Sequence, residues 1–91
     1  MLPELSITAL NLSGCLISDA GLQSLAKATR ALNVLNINNC CNVSDVGARS
    51  LFEQCPNLNT IDAHCCDQIS DALLEYVSQQ TNRTPLVIRK Y

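Results

Sequence analysis

Apolar residues recur along this chain in a fixed order. Ile7-x-x-Leu10-x-Leu12-x-x-Cys15 returns as Leu32-x-x-Leu35-x-Ile37-x-x-Cys40 and again as Leu58-x-x-Ile61-x-Ala63-x-x-Cys66. Each is followed by an apolar residue, a serine and an aspartate: Ile17-Ser18-Asp19, Val43-Ser44-Asp45 and Ile69-Ser70-Asp71. The three aspartates lie 26 residues apart, and the first unit is one residue shorter between Cys15 and Ile17. Self-similarity at this period marks a repeat architecture, in which each unit buries its apolar face only by stacking on the next.

Two periods coexist in each unit. The pairs Leu10/Leu12, Leu35/Ile37 and Ile61/Ala63 alternate with period two, as a strand with one face on a core requires. Beyond the Ser-Asp step, Leu22/Leu25, Ala48/Leu51 and Leu74/Val77 are three apart and share one helix face. Ser18, Ser44 and Ser70 are predicted N-caps. Asp19, Asp45 and Asp71 then meet the positive end of the helix dipole. A strand that returns through a helix to a neighbouring strand pairs in parallel, with a right-handed crossover. The reading is a single α/β domain over 1–91, a right-handed solenoid with strands on the concave face and helices on the convex face. Its repeats run over about 7–31, 32–57 and 58–83, with a polar turn at Thr81-Asn82-Arg83-Thr84 and a closing strand at 86–91 opened by Pro85. Gly21 and Gly47 share a helix position where a side chain crowds the adjoining unit, and Leu73 replaces them in the third repeat.

The intervening strand positions form columns on the concave face. These are Thr8/Asn33/Asn59, Ala9/Val34/Thr60, Asn11/Asn36/Asp62, Ser13/Asn38/His64 and Gly14/Asn39/Cys65. Such a face is polar and rich in asparagine, suited to hydrogen bonding with a peptide or loop. Asn33, Asn36, Asn38, Asn59, Asp62 and His64 are its candidate partner-binding residues. It holds no Trp, Tyr or Arg, the residue types that anchor most interfaces, so its affinity is expected to be modest or shared with other chains. A second candidate patch gathers Tyr76, Arg83, Arg89 and Tyr91 near the C-terminal end. With only Met1 to Ser6 ahead of the first unit, an end-on contact with another subunit is also expected.

Composition narrows the classes. Apolar residues make up 47% of the 91 residues and charged residues 15%, which excludes a disordered chain. A net charge of -2 is too small to draw nucleic acid or an anionic membrane. No apolar run reaches the ~18 residues of a membrane span, and the first residues lack a signal peptide's pattern, so a cytoplasmic or nuclear protein without membrane insertion is expected. Three of the six cysteines, Cys15, Cys40 and Cys66, fall on the repeat register, which favours reduced packing thiols over a disulfide scaffold. The sequons at Asn11, Asn42 and Asn82 then carry no weight.

A zinc site and a thiol enzyme are both disfavoured. Cys40, Cys41, His64, Cys65 and Cys66 are ligand types for zinc, but the register turns Cys40 and Cys66 to the core and His64 and Cys65 away from it. A thiol enzyme using Cys65 and His64 lacks an orienting third group. The aspartates, related by translation, do not form an acid/base pair. No metal or cofactor is expected.

Cysteine at the ninth repeat position, the following I/V-S-D-x-G/A-x-x-x-L pattern and the step Cys55-Pro56-Asn57-Leu58 resemble the cysteine-containing class of leucine-rich repeat. The resemblance covers roughly residues 7 to 81. It implies a short leucine-rich repeat horseshoe acting as a non-catalytic protein-interaction module within a multi-subunit complex. That class is best known from the substrate-binding portions of F-box proteins in ubiquitin ligases, so recognition of a substrate or partner in such a complex is the implied role. A structural subunit held by end-on stacking is the alternative.

Overall fold

The computed structural model describes residues 7–80 and 86–90. Strands and helices alternate as β1 (Ala9–Asn11), α1 (Asp19–Ala28), β2 (Val34–Asn36), α2 (Asp45–Gln54), β3 (Thr60–Asp62), α3 (Asp71–Ser78) and β4 (Val87–Arg89). The four strands form one parallel sheet in chain order. Leu10, Leu35, Ile61 and Ile88 lie opposite one another across it, as do Asn11, Asn36, Asp62 and Arg89. This is the α/β solenoid the periodicity predicts, with the sheet concave and the helices convex, as the resemblance to leucine-rich repeats implies. The closing strand is shorter than the expected 86–91, covering Val87–Arg89. Arg83 and Tyr91 lie outside the described residues.

The core follows the repeat register. Leu32, Leu35, Ile37, Cys40 and Val43 of the second unit are fully buried, as are Leu58, Ile61 and Ala63 of the third. Each large aliphatic buried this way contributes about 1.5–3 kcal/mol by leaving water. Helix α1 packs Leu22 and Ala26 inward, with Leu25 half-buried. In α3 the buried face is Leu73 and Val77, and the expected Leu74 is only half-buried. Leu73 and Val77 occupy the helix positions of Gly47 and Leu51, which are buried in α2 as well.

The Ser-Asp step does more than start helices. Ser44 and Ser70 cap as predicted, each accepting the N–H two residues ahead, from Val46 and Ala72. Ser18 makes no side-chain cap bond. Across repeats, Ser44 donates its N–H to Asp19 Oδ1 at 2.8 Å and its hydroxyl to Asp19 Oδ2 at 2.6 Å. Ser70 does the same to Asp45, at 2.8 and 2.5 Å. Asp19 and Asp45 thus each receive the cap of the next unit, so carboxylates and caps form a ladder from repeat to repeat.

Leu73 changes the last step of that ladder. Gly47 donates its N–H to Asp19 Oδ1 at 3.1 Å, and its missing side chain lets α2 lie close on α1. At the matching place in α3, the Leu73 N–H bonds Ser70 O at 3.2 Å instead. Helix α3 meets α2 much less extensively than α2 meets α1. Between them lies a cavity of about 170 Å³ lined by Asp45, Arg49, Ala72, Leu73 and Tyr76.

The column Gly14/Asn39/Cys65 belongs to the turns rather than to the concave face. All three residues take a left-handed backbone, with φ of 74°, 63° and 64°. Glycine and asparagine adopt it readily, whereas a cysteine bears a steric cost of about 1–2 kcal/mol. Cys65→Gly should raise the unfolding free energy by about 0.5–1 kcal/mol once glycine's larger unfolded-state entropy is subtracted. Urea denaturation reads this directly, and a loss of stability would show that the Cys65 side chain holds the turn.

Candidate protein-binding face

Three short strands plus β4 present the alternate side chains away from the core, and these form the candidate face. Its first row is Ala9, Val34, Thr60 and Val87, with Val34 and Val87 notably exposed for apolar residues. Its second row is Asn11, Asn36, Asp62 and Arg89. Beyond the strand ends lie Ser13, Asn38 and His64, carried by the turns.

Several of the expected recognition amides are engaged within the fold. Asn36 Oδ1 accepts the Asn38 N–H at 2.9 Å, as Asn11 Oδ1 accepts the Ser13 N–H. These are side chain-to-backbone turns that set the strand exits. Asn38 Oδ1 accepts the His64 N–H at 2.8 Å and lies 3.0 Å from His64 Nδ1. The backbone of Asn33 is held on both sides, its N–H on Thr8 O and its carbonyl accepting the Asn59 N–H, both within 2.8 Å. Asn59 Oδ1 accepts the Thr60 hydroxyl at 3.0 Å. The row of amides therefore presents fixed carbonyl and amide edges on a frame locked from beneath.

Asp62 breaks the pattern. It stands where Asn36 stands one repeat earlier, yet the His64 N–H it would receive goes to Asn38. Its Oδ1 is shielded from water and has no hydrogen-bond partner among the described residues. Among the described residues the nearest cation is Arg89, whose Nε is 3.8 Å away, near enough for attraction and too far for a hydrogen bond. The arginine side chain remains 63% exposed. The exposed guanidinium beside this carboxylate is a donor open to a partner on this face.

The sheet thus corrects two expectations. Arg89 does not join a C-terminal patch with Tyr76; β4 sets it beside Asp62 on the concave face, which accordingly does hold an arginine. Tyr76 is on the convex side. Its ring meets Phe52 edge-on at 5.8 Å, Arg49 lies over it at 4.2 Å, and its hydroxyl donates to Glu53 Oε1 at 3.3 Å. Arg49 also bonds Glu53 at 2.8 Å, and that bond, more than the neighbouring ring, pushes the guanidinium pKa up. Nothing in the sequence pattern pointed to Arg49 or Glu53; β4 pairing was the signal available for Arg89, since residue 89 follows the Asp62 register.

The cysteines divide by direction. Cys40 donates its thiol to Leu12 O at 3.1 Å and Cys66 to Ile37 O at 2.9 Å, both buried, and burial pushes both thiols above their usual 9.0. Cys41 and Cys65 are exposed on the turns. Among the described residues no group of three or more His, Cys, Asp or Glu side chains is placed to hold a metal ion. A second cavity, of about 330 Å³, is lined by Ala63, Cys65, Cys66, Asp67, Ile69 and Lys90 beyond the third turn. No helix in the described residues is long and apolar enough to cross a membrane.

Comparison with known proteins agrees with this geometry. The model of a leucine-rich repeat family matches residues 5–26 and 30–52. No curated protein matches the chain. The matched segments take in the first two strand-turn-helix units, and the third carries the same strand register, turn conformation and Ser-Asp ladder. The described chain thus has the fold of a leucine-rich repeat solenoid, and its first two units are similar to the model of that family.

Proposed function

We propose that this solenoid is a non-catalytic protein-binding module whose concave sheet recognises an extended peptide or loop. Asn33, Asn36, Asn38, Asn59 and His64 supply the fixed polar frame, and Asp62 with Arg89 supplies the anchoring pair. The observation that carries the reading is the unpartnered Asp62 Oδ1, 3.8 Å from an exposed arginine. A partner carbonyl or carboxylate receives the exposed guanidinium, and covering the pair from water strengthens the attraction between Arg89 and Asp62. The exposed Val34 and Val87 flank this pair with apolar surface. The cysteine-containing repeat pattern supports a finer form of the same reading, in which the partner is a substrate or subunit of a ubiquitin-ligase-like complex.

Affinity capture with the full chain, followed by mass spectrometry, tests it. Arg89→Glu should weaken the captured interaction at least tenfold, about 1.4 kcal/mol, by setting a like charge against Asp62 and the partner. Arg49→Ala, on the convex side, should leave it unchanged. Equal capture by the wild type and Arg89→Glu, with both folded by circular dichroism, would remove the concave face as the binding site.

A further inference from the structure

The hydrogen bonds of the concave sheet give it a polarity. A side-chain amide carries one acceptor oxygen and an NH2 group with two donors. Asn11 Oδ1 accepts the Ser13 N–H, Asn36 Oδ1 accepts the Asn38 N–H, and Asn38 Oδ1 accepts the His64 N–H, with His64 Nδ1 3.0 Å from the same oxygen. In all three the oxygen is committed to the chain, and Nδ2 makes no hydrogen bond among the described residues. None of these Nδ2 groups is shielded from water as Asp62 Oδ1 is.

Charge follows the same sign. Arg89 stands in the row of Asn11 and Asn36, and its side chain is the exposed member of the pair it forms with Asp62. The aspartate side chain is only 23% exposed, and its Oδ1 is held out of water. The other described acids lie off the sheet, with Asp19, Asp45, Glu53, Asp71 and Glu75 on the helices and Asp67 on a turn. Outward, the row therefore offers donors: the NH2 groups of Asn11 and Asn36 and the guanidinium of Arg89. A partner that brings more donors leaves both sides unpaired, whereas one that brings acceptors satisfies them.

Taking the concave sheet as the binding surface, a premise that rests on the function proposed above, we propose that its partner is an extended acidic peptide segment. An Asp or Glu carboxylate of that segment accepts from Arg89 in a charge-assisted bond. Strands lie ~4.8 Å apart and an extended chain rises ~3.4 Å per residue, so Asn36, two strands from Arg89, meets an acceptor about three residues further along. Asn11 takes the acceptor after it.

The test measures binding of short peptides to the full chain, the peptides being identical except for glutamate, glutamine or lysine at every third position. The glutamate peptide should bind about tenfold more tightly than the glutamine peptide, and the lysine peptide more weakly than either. Asn36→Asp keeps an oxygen for the Asn38 N–H and exchanges the outward NH2 for a second carboxylate oxygen. With the chain folded by circular dichroism, it should weaken binding of the glutamate peptide about tenfold, and Arg89→Gln should do the same. A preference for glutamine or lysine that responds to these two substitutions would overturn the acidic partner while keeping the concave site. A glutamate preference that neither substitution alters would overturn both, because the binding then lies elsewhere on the molecule. Binding of none of the three peptides would overturn the acidic partner as well.

Discussion

Gly47→Ala should destabilise the domain by about 2–4 kcal/mol, although alanine is the better helix former by about 1 kcal/mol. A Cβ at Gly47 would lie 2.5 Å from Asp19 Oδ1, 3.0 Å from Asp19 Cα and 3.1 Å from Leu22 Cδ1. The first of these atoms is pinned by Ser44 and the second is backbone, so α1 and α2 must part to admit the methyl. Gly21→Ala is the control. Its Cβ would meet the Ile17 side chain, at 2.7 Å from Cγ1. Ile17 belongs to the partly buried edge of the core and can turn aside, so the cost should stay near 1 kcal/mol or below. Chemical denaturation of both variants gives the comparison, and a stabilised Gly47→Ala would mean that the helices do not approach as closely as this contact requires.

The second large effect is expected from Asp19→Ala, at about 3 kcal/mol. That carboxylate accepts the Ser44 N–H, the Ser44 hydroxyl and the Gly47 N–H, so its loss orphans the start of α2 in a half-buried place. Asp45→Ala removes only the two bonds to Ser70, which are exposed, and should cost about 1 kcal/mol. Asp19 and Gly47 touch, so their substitutions should not add. In the double variant the shortened side chain leaves room for the new methyl, and the combined loss should fall short of the sum by about 1 kcal/mol or more. Strict additivity would place the two residues in separate local environments and contradict the ladder.

Much of this was legible before any coordinates. Alternation by two at Leu35/Ile37 specifies which strand face is buried, and repetition of that pair 26 residues later specifies a parallel neighbour. The inward direction of Cys40 and Cys66, the capping by Ser44 and Ser70, and the crowding at Gly47 all follow from position within the unit. The roles that escaped involve partners a whole repeat away. Asp19 reads as a charge on its own helix dipole, but its hydrogen bonds go to Ser44, because the lateral offset of stacked units brings the next helix start to it. Asn38 is spent on His64 for the same reason, which leaves Asp62 short of a donor. Leu73 reads as the mark of a last repeat, while its side chain has a further consequence in lining the space beside Arg49 and Tyr76.

Periodicity states how each side chain points relative to its own backbone, so the amino-acid sequence by itself determined the solenoid, its two faces and most of its core. Which groups meet across units depends on rise, twist and helix spacing, quantities that emerge only when the units stack. Tertiary structure therefore decided that Arg89 stands beside Asp62 on the concave sheet, that Tyr76 belongs to the convex helices, and that Cys65 bends a turn.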